Sequence, residues 1–115
     1  MADADIVDPH RGAAIEDVRI HPTVVPNWDN TPRSGPRGLV YLGSDPDRYR
    51  ARLSRTVSAI SAKPPDQRLI YLKSWNEWAE GNYLEPDQRF GEGWLQATAA
   101  VLLGDVDVRG EPMQQ

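Results

Sequence analysis

An α/β chain in the order strand, helix, strand, helix is predicted by three features of the sequence. Leu69-Ile70-Tyr71-Leu72 is a continuous apolar run, as expected for a strand buried on both faces in a parallel sheet. Residues 45–62 and 90–103 each carry apolar side chains at helical spacing. Thr23-Val24-Val25 is β-branched and bracketed by Pro22 and Pro26, which suits a short strand. This βαβα order implies parallel strands joined by right-handed crossovers.

At 115 residues the chain has the size of one modest domain. Ten prolines and nine glycines predict a loop-rich chain, and the 39% hydrophobic content predicts a small core. A net charge of −4 argues against a general nucleic-acid or membrane-surface partner. No apolar run approaches the ~18–20 residues of a membrane span. The absence of cysteine excludes disulfides and thiolate metal sites, and fits a reducing, cytoplasmic setting. The acidic start, Met1-Ala2-Asp3-Ala4-Asp5, lacks the cationic and apolar stretches of a signal peptide.

The elements follow in order. Residues 1–18 read as a flexible leader with one helical turn around Ala13 to Val18. The strand at residues 23–25 is followed by a long loop, 27–44, of a length that usually has a role. Within it, Leu39-Val40-Tyr41-Leu42 reads as a very short strand or a segment touching the core. The first helix, 45–62, is capped by Ser44 or Asp45, with Pro46 at its first position. Tyr49, Leu53, Val57 and Ile60 form its buried face. Arg48, Arg50, Arg52 and Arg55 lie mostly off that face and read as a solvated surface rather than a nucleic-acid patch. Lys63-Pro64-Pro65 stops the helix, and 68–75 reads as the second strand. The second helix, 90–103, has Trp94, Leu95, Thr98, Val101 and Leu102 on one stripe, with Gly104 as its stop. Residues 105–115 read as a flexible tail.

The candidate chemistry sits in the two long loops, both after strand C-termini, the edge at which α/β folds bind ligands. Ser74-Trp75-Asn76-Glu77-Trp78-Ala79-Glu80-Gly81-Asn82-Tyr83-Leu84-Glu85-Pro86 gathers aromatic rings and carboxylates, the groups suited to holding and cleaving a glycan. If the backbone turns helically there, Glu77 and Glu80 share a face with Cβ atoms ~5–6 Å apart. Two carboxylates that close can flank one glycosidic bond as proton donor and base or nucleophile. The bland alternative is a pair of surface glutamates. Trp75, Trp78 and Tyr83 weigh against it, since exposed tryptophans are costly unless packed or binding. Asn76 belongs to the same cluster, and Glu85 reads as a third carboxylate or as a hydrogen-bonding brace for the loop. In the first loop, Trp28 can stack on a sugar and Asp29 and Asn30 can bind hydroxyls. The alternative there is an Asx-type turn beside a buried Trp. Arg33 reads as an anion contact or a surface residue, and His21 as a structural histidine. Two histidines without close spacing match no common metal site, and no glycine-rich phosphate loop is present, so no metal or cofactor is expected.

Trp75-Asn76-Glu77-Trp78-Ala79-Glu80-Gly81, continued by Tyr83-Leu84-Glu85-Pro86-Asp87, resembles the signature of the WbsX-type glycosyltransferase family, relatives of the endo-α-mannosidases of glycoside hydrolase family 99. Pro26-Asn27-Trp28-Asp29-Asn30-Thr31-Pro32-Arg33 resembles an upstream segment of that family, and Trp94-Leu95-Gln96-Ala97-Thr98 fits the helix that follows. The resemblance covers residues 19 to 103. It implies that the chain is the last two βα units of a (β/α)8 TIM barrel, with 19–104 as the partial domain. It also implies that Glu77 assists attack by the sugar 2-hydroxyl and that Glu80 protonates the leaving oxygen. Ala79 stands where the hydrolase relatives usually have histidine, which leans toward the WbsX branch. A whole barrel needs ~250 residues. The expected partners are therefore a glycan and either the missing barrel portion or a second copy of the chain.

Overall fold

The computed structural model describes residues 19–104, so the expected leader and tail lie outside the described residues. Strands β1 (Thr23–Val24) and β2 (Tyr71–Leu72) pair in parallel, with Thr23 opposite Tyr71 and Val24 opposite Leu72. Between them in sequence lie a short helix, α1 (Thr31–Ser34), and a long one, α2 (Pro46–Ile60). After β2 come a small antiparallel pair, β3 (Asn76–Glu77) with β4 (Asn82–Tyr83), and helix α3 (Gly93–Leu102). The chain is thus mixed α/β, and β1, α2, β2 and α3 keep the expected strand–helix–strand–helix order. Among the described residues no helix is long and apolar enough to cross a membrane.

Helix α2 starts where its sequence says it should. The Asp45 side chain accepts the Arg48 backbone N–H at 2.8 Å, and Pro46 occupies the first turn, where its missing N–H is no loss. Tyr49, Leu53 and Ile60 are buried, and Val57 packs beside them. Helix α3 lies against this face. The Trp94 ring meets Tyr49 edge-on at 5.9 Å, and the Tyr49 hydroxyl bonds the Thr98 hydroxyl at 2.9 Å. Val24 and Leu84 complete the core, with Ile70 and Leu72 packed against it. Of the arginine row, Arg52 turns inward and donates to the Pro26 carbonyl at 3.2 Å, which ties α2 to the end of β1.

Five expectations need correction. The strand foreseen over 68–75 is paired only at Tyr71–Leu72. It is not buried on both faces: Ile70 and Leu72 turn toward the core, whereas Leu69 and Tyr71 remain 45% and 55% exposed. Alternate residues of a strand point to opposite faces, and among the described residues helices cover only one of them. The stripe of α3 is centred on Trp94 and Ala97, and Leu102 lies outside it, exposed. The helix also starts later than residue 90, because an Asp87–Gly91 bridge holds the preceding residues in a turn. Finally, only Val40 of the 39–42 segment pairs, with Asp29, and Leu39 and Leu42 face outward.

Candidate functional site

Because β1 and β2 are adjacent and parallel, the chain leaves both at the same edge, and the two long loops meet there. A pair of buried asparagines joins them. Asn27 donates to the Tyr83 carbonyl at 3.1 Å and accepts the Tyr83 N–H at 2.8 Å, as a strand neighbour would. Asn82, fully buried, donates to the carbonyls of Asn27 at 2.7 Å and Lys73 at 3.0 Å. Its own side-chain oxygen accepts from the Ser74 hydroxyl at 2.9 Å. Buried amides are retained when every polar atom finds a partner, and these do.

The second seam lies at Gly81. The Asp29 N–H donates to the Glu80 carbonyl at 2.9 Å, drawing one loop onto the other. A Cβ on Gly81 would lie 2.5 Å from the Asp29 carbonyl oxygen, and its φ of +54° is left-handed. Only glycine meets both demands without strain. Gly81 ends a 3-10 turn over Trp78–Glu80, where its N–H returns to the Trp78 carbonyl at 3.1 Å.

This turn does not place the two glutamates as a helix would. Glu77 belongs to β3, with φ −151° and ψ 77°, and its side chain is exposed. The helical geometry starts only at Trp78, so Glu77 and Glu80 do not share one helix face. Glu80 reaches the Lys73 ammonium at 3.7 Å, and that ammonium sits 5.4 Å from the centre of the half-buried Trp28 ring. Lys73 thus links an acid of one loop to an aromatic of the other.

The remaining candidates divide into braces and open surface. Asp29 accepts the Thr31 hydroxyl and, at 2.9 Å, the Thr31 N–H, and these bonds hold its carboxyl below the usual range. Asn30 accepts the Leu39 N–H at 2.6 Å and so closes the base of the first loop. Asn76 donates to Glu85 at 2.7 Å, the bracing role open to that glutamate. These are the contacts of the Asx-turn and brace alternatives. Trp75 and Trp78, by contrast, stand 54% and 53% exposed. Trp78 lies on the Tyr83 ring, with centroids 4.3 Å apart and planes tilted by 30°. Exposed rings arranged in this way present a flat apolar face to a ligand. Among the described residues, no three His, Asp or Glu side chains gather as a metal ion would require.

Sequence reasoning assigned no role to Asn27, Lys73, Ser74, Asn82 or Asp87. The available signals are faint: a cation and a hydroxyl, Lys73 and Ser74, directly after the apolar run, and an Asp four residues beyond Tyr83 and seven before Trp94. Asp87 accepts from the Tyr83 hydroxyl at 2.7 Å and the Trp94 indole N–H at 3.0 Å, as well as from the Phe90 N–H.

Comparison with known proteins gives the same region a context. The family described as Glycosyltransferase WbsX matches residues 4–98. Two proteins from strains of Xanthomonas campestris pv. campestris, each described as uncharacterized protein WxcX, are 45% identical over 98 residues. The matched part is 84% of this chain but 14% of each relative, so the chain spans about a seventh of the curated relatives it matches. No solved structure matches it.

Proposed function

The chain belongs to the WbsX glycosyltransferase family, and on that premise we propose that it forms the acid-bearing rim of a carbohydrate-active enzyme. The observation that carries this reading is the junction of the two loops through Asn27, Asn82 and the Asp29–Glu80 bond. On this reading the junction brings Trp28, Trp75, Trp78, Tyr83, Glu77 and Glu80 to one site at the edge of the sheet. In this proposal the substrate is an α-linked glycan, such as a cell-surface polysaccharide. Trp75, Trp78 and Tyr83 stack on its rings. Glu77 and Glu80 divide the acid and base work at the glycosidic bond, and Ala79 leans toward the WbsX branch. The parallel β1–β2 pair is taken as two neighbouring strands of a (β/α)8 barrel. The exposed face bearing Leu69 and Tyr71, and the small share of WxcX that the chain spans, support a larger body closing over it.

The test is turnover of extracted cell-surface polysaccharide by the chain, alone and mixed with the part of WxcX that it does not cover. Glu77→Gln and Glu80→Gln are each expected to lower turnover by ~10²–10⁴, the usual worth of general acid–base assistance. Turnover unchanged in both variants would remove the carboxylates from the mechanism. The exposure of Trp75 and Trp78 favours a second reading, glycan binding without chemistry. It predicts binding that survives both glutamine variants and is lost in Trp78→Ala.

A further inference from the structure

Asp87 lies outside the cluster of acids and aromatics at the sheet edge, yet two ring donors and backbone N–H groups of the turn after it converge on its carboxylate. Oδ2 accepts the Tyr83 hydroxyl at 2.7 Å and the Trp94 indole N–H at 3.0 Å, and Oδ1 accepts the Phe90 N–H. The two ring donors are neighbours that differ in burial. Trp94 is buried in the core against Tyr49 and Phe90, at 5.9 and 5.5 Å. Tyr83 is half-buried, and its outer face carries the exposed Trp78 ring. Tyr83 and Trp94 also meet edge to face at 6.4 Å. A file of rings therefore runs from core to surface, and one carboxylate oxygen binds two successive members.

We propose that Asp87 is a positioning residue of the glycan site: by holding the Tyr83 phenol against the anchored Trp94 indole, it fixes the plane of the Trp78–Tyr83 pair on which a sugar ring stacks. This inference rests on the glycan-binding reading for its ligand, but not for its geometry. Two features support it. A stacking surface discriminates only if its tilt is held: Asn27 and the β3 pairing anchor the Tyr83 backbone, and the Asp87 bond holds the far end of its ring. Carboxylate acceptors also make the stronger kind of hydrogen bond, so the tether is firmer than an amide would supply.

The test uses the full 115-residue chain and three variants, Asp87→Asn, Tyr83→Phe and Trp78→Ala, with folding checked by far-ultraviolet circular dichroism. The first readout is alkaline titration of the phenols by ultraviolet difference absorbance. Burial, the Asp87 hydrogen bond and the Asp87 charge push Tyr83 up to about 12. In Asp87→Asn that late phenol is expected to titrate earlier, and in Tyr83→Phe to be missing. The second readout is acrylamide quenching of tryptophan fluorescence, expected to rise in Asp87→Asn and Tyr83→Phe. The third is binding to immobilised α-linked oligosaccharides, expected to weaken at least tenfold in all three variants. A late phenol unmoved by Asp87→Asn, with unchanged quenching, overturns the positioning role whatever the binding result. Binding lost in Trp78→Ala but intact in a folded Asp87→Asn also overturns it. Binding untouched by Trp78→Ala, with the first two readouts as expected, sinks the glycan reading and leaves the tether standing. Should Asp87→Asn fail to fold, Tyr83→Phe carries the test, since it removes the tethered hydroxyl and keeps the ring.

Discussion

Asn82→Ala should be the most damaging small change in the loop region. The wild-type amide is fully buried and donates to two carbonyls, Asn27 at 2.7 Å and Lys73 at 3.0 Å. Alanine leaves both without that donor. A buried acceptor deprived of its partner costs about 1–3 kcal/mol, so two give about 2–6 kcal/mol, with entering water favouring the lower half. The Ser74 hydroxyl adds little to this sum, because it also reaches the Asn82 main-chain carbonyl at 3.1 Å, which the substitution retains. Domains are stable by only about 5–15 kcal/mol, so a loss of about 2–4 kcal/mol is a large fraction. The assay is urea unfolding followed by tryptophan fluorescence, with Asn76→Ala as the reference. The Asn76 side chain is exposed and donates to Glu85 at the surface, so its loss should fall within about 0.5 kcal/mol, as for ordinary surface changes. Asn82→Asp should be worse than alanine at neutral pH, since it points a carboxylate at two carbonyls that need a donor. If Asn82→Ala costs no more than Asn76→Ala, the asparagine is not what joins the loops.

Gly81→Ala should destabilise by about 1–3 kcal/mol, from the left-handed backbone and the clash with Asp29, read as a lowered Tm. Asp45→Ala should cost about 1 kcal/mol through loss of the α2 cap, visible in the same melt as reduced stability without altered glycan binding. Stability should also fall with acid. Burial pushes the Asp87 carboxyl up, but hydrogen bonds from Phe90, Trp94, Tyr83 and Arg89 outweigh it and hold the group below its ordinary 3.8. The unfolded chain therefore binds this proton first, so stability present above pH 3.8 is lost as the pH drops below it. Urea midpoints measured across that range should fall less steeply in Asp87→Asn. At the alkaline end, the raised Tyr83 gives stability that is full below pH 10.0 and lost as the pH climbs toward about 12. Tyr83→Phe should flatten that alkaline loss.

Local signals carried most of what the sequence revealed. Asp45, Pro46 and the spacing of Tyr49, Leu53 and Ile60 mark α2 because cap, first turn and buried face all act within a few residues. The β-branched patch at β1 and its parallel partner follow from composition and element order. Leu69 to Leu72 misled because an unbroken apolar run looks the same whether one face is covered or both, and only Ile70 and Leu72 turn to the core. The Glu77–Glu80 spacing is ambiguous for a related reason: a separation of three gives a shared helix face only when the turn has already begun, and here it begins at Trp78. Asn27 and Asn82 were beyond reach, since their partnership spans 55 residues and depends on where the strands deliver each loop. Asp87 is an intermediate case, visible as a spacing to Tyr83 and Trp94 but not as a bond.

The first loop is closed at its neck. Asp29 pairs with Val40, Asn30 receives the Leu39 N–H, and Tyr41 donates to the Trp28 carbonyl at 2.9 Å. The hydrogen bonds to the motif loop come from Asn27 and Asp29, on the near side of that closure, while α1 beyond it lies close to the Trp78–Glu80 turn. The excursion beyond it, α1 and the turn over Gly35–Arg37, contains no buried residue. For protein engineering, that makes it an insertion cassette. Length and composition at the tip, around Pro36 and Arg37, can be exchanged while the neck and the Thr31 bonds to Asp29 keep the rim in register. New specificity loops, affinity tags or fluorescent reporters placed there would sit beside the motif loop without passing through the core.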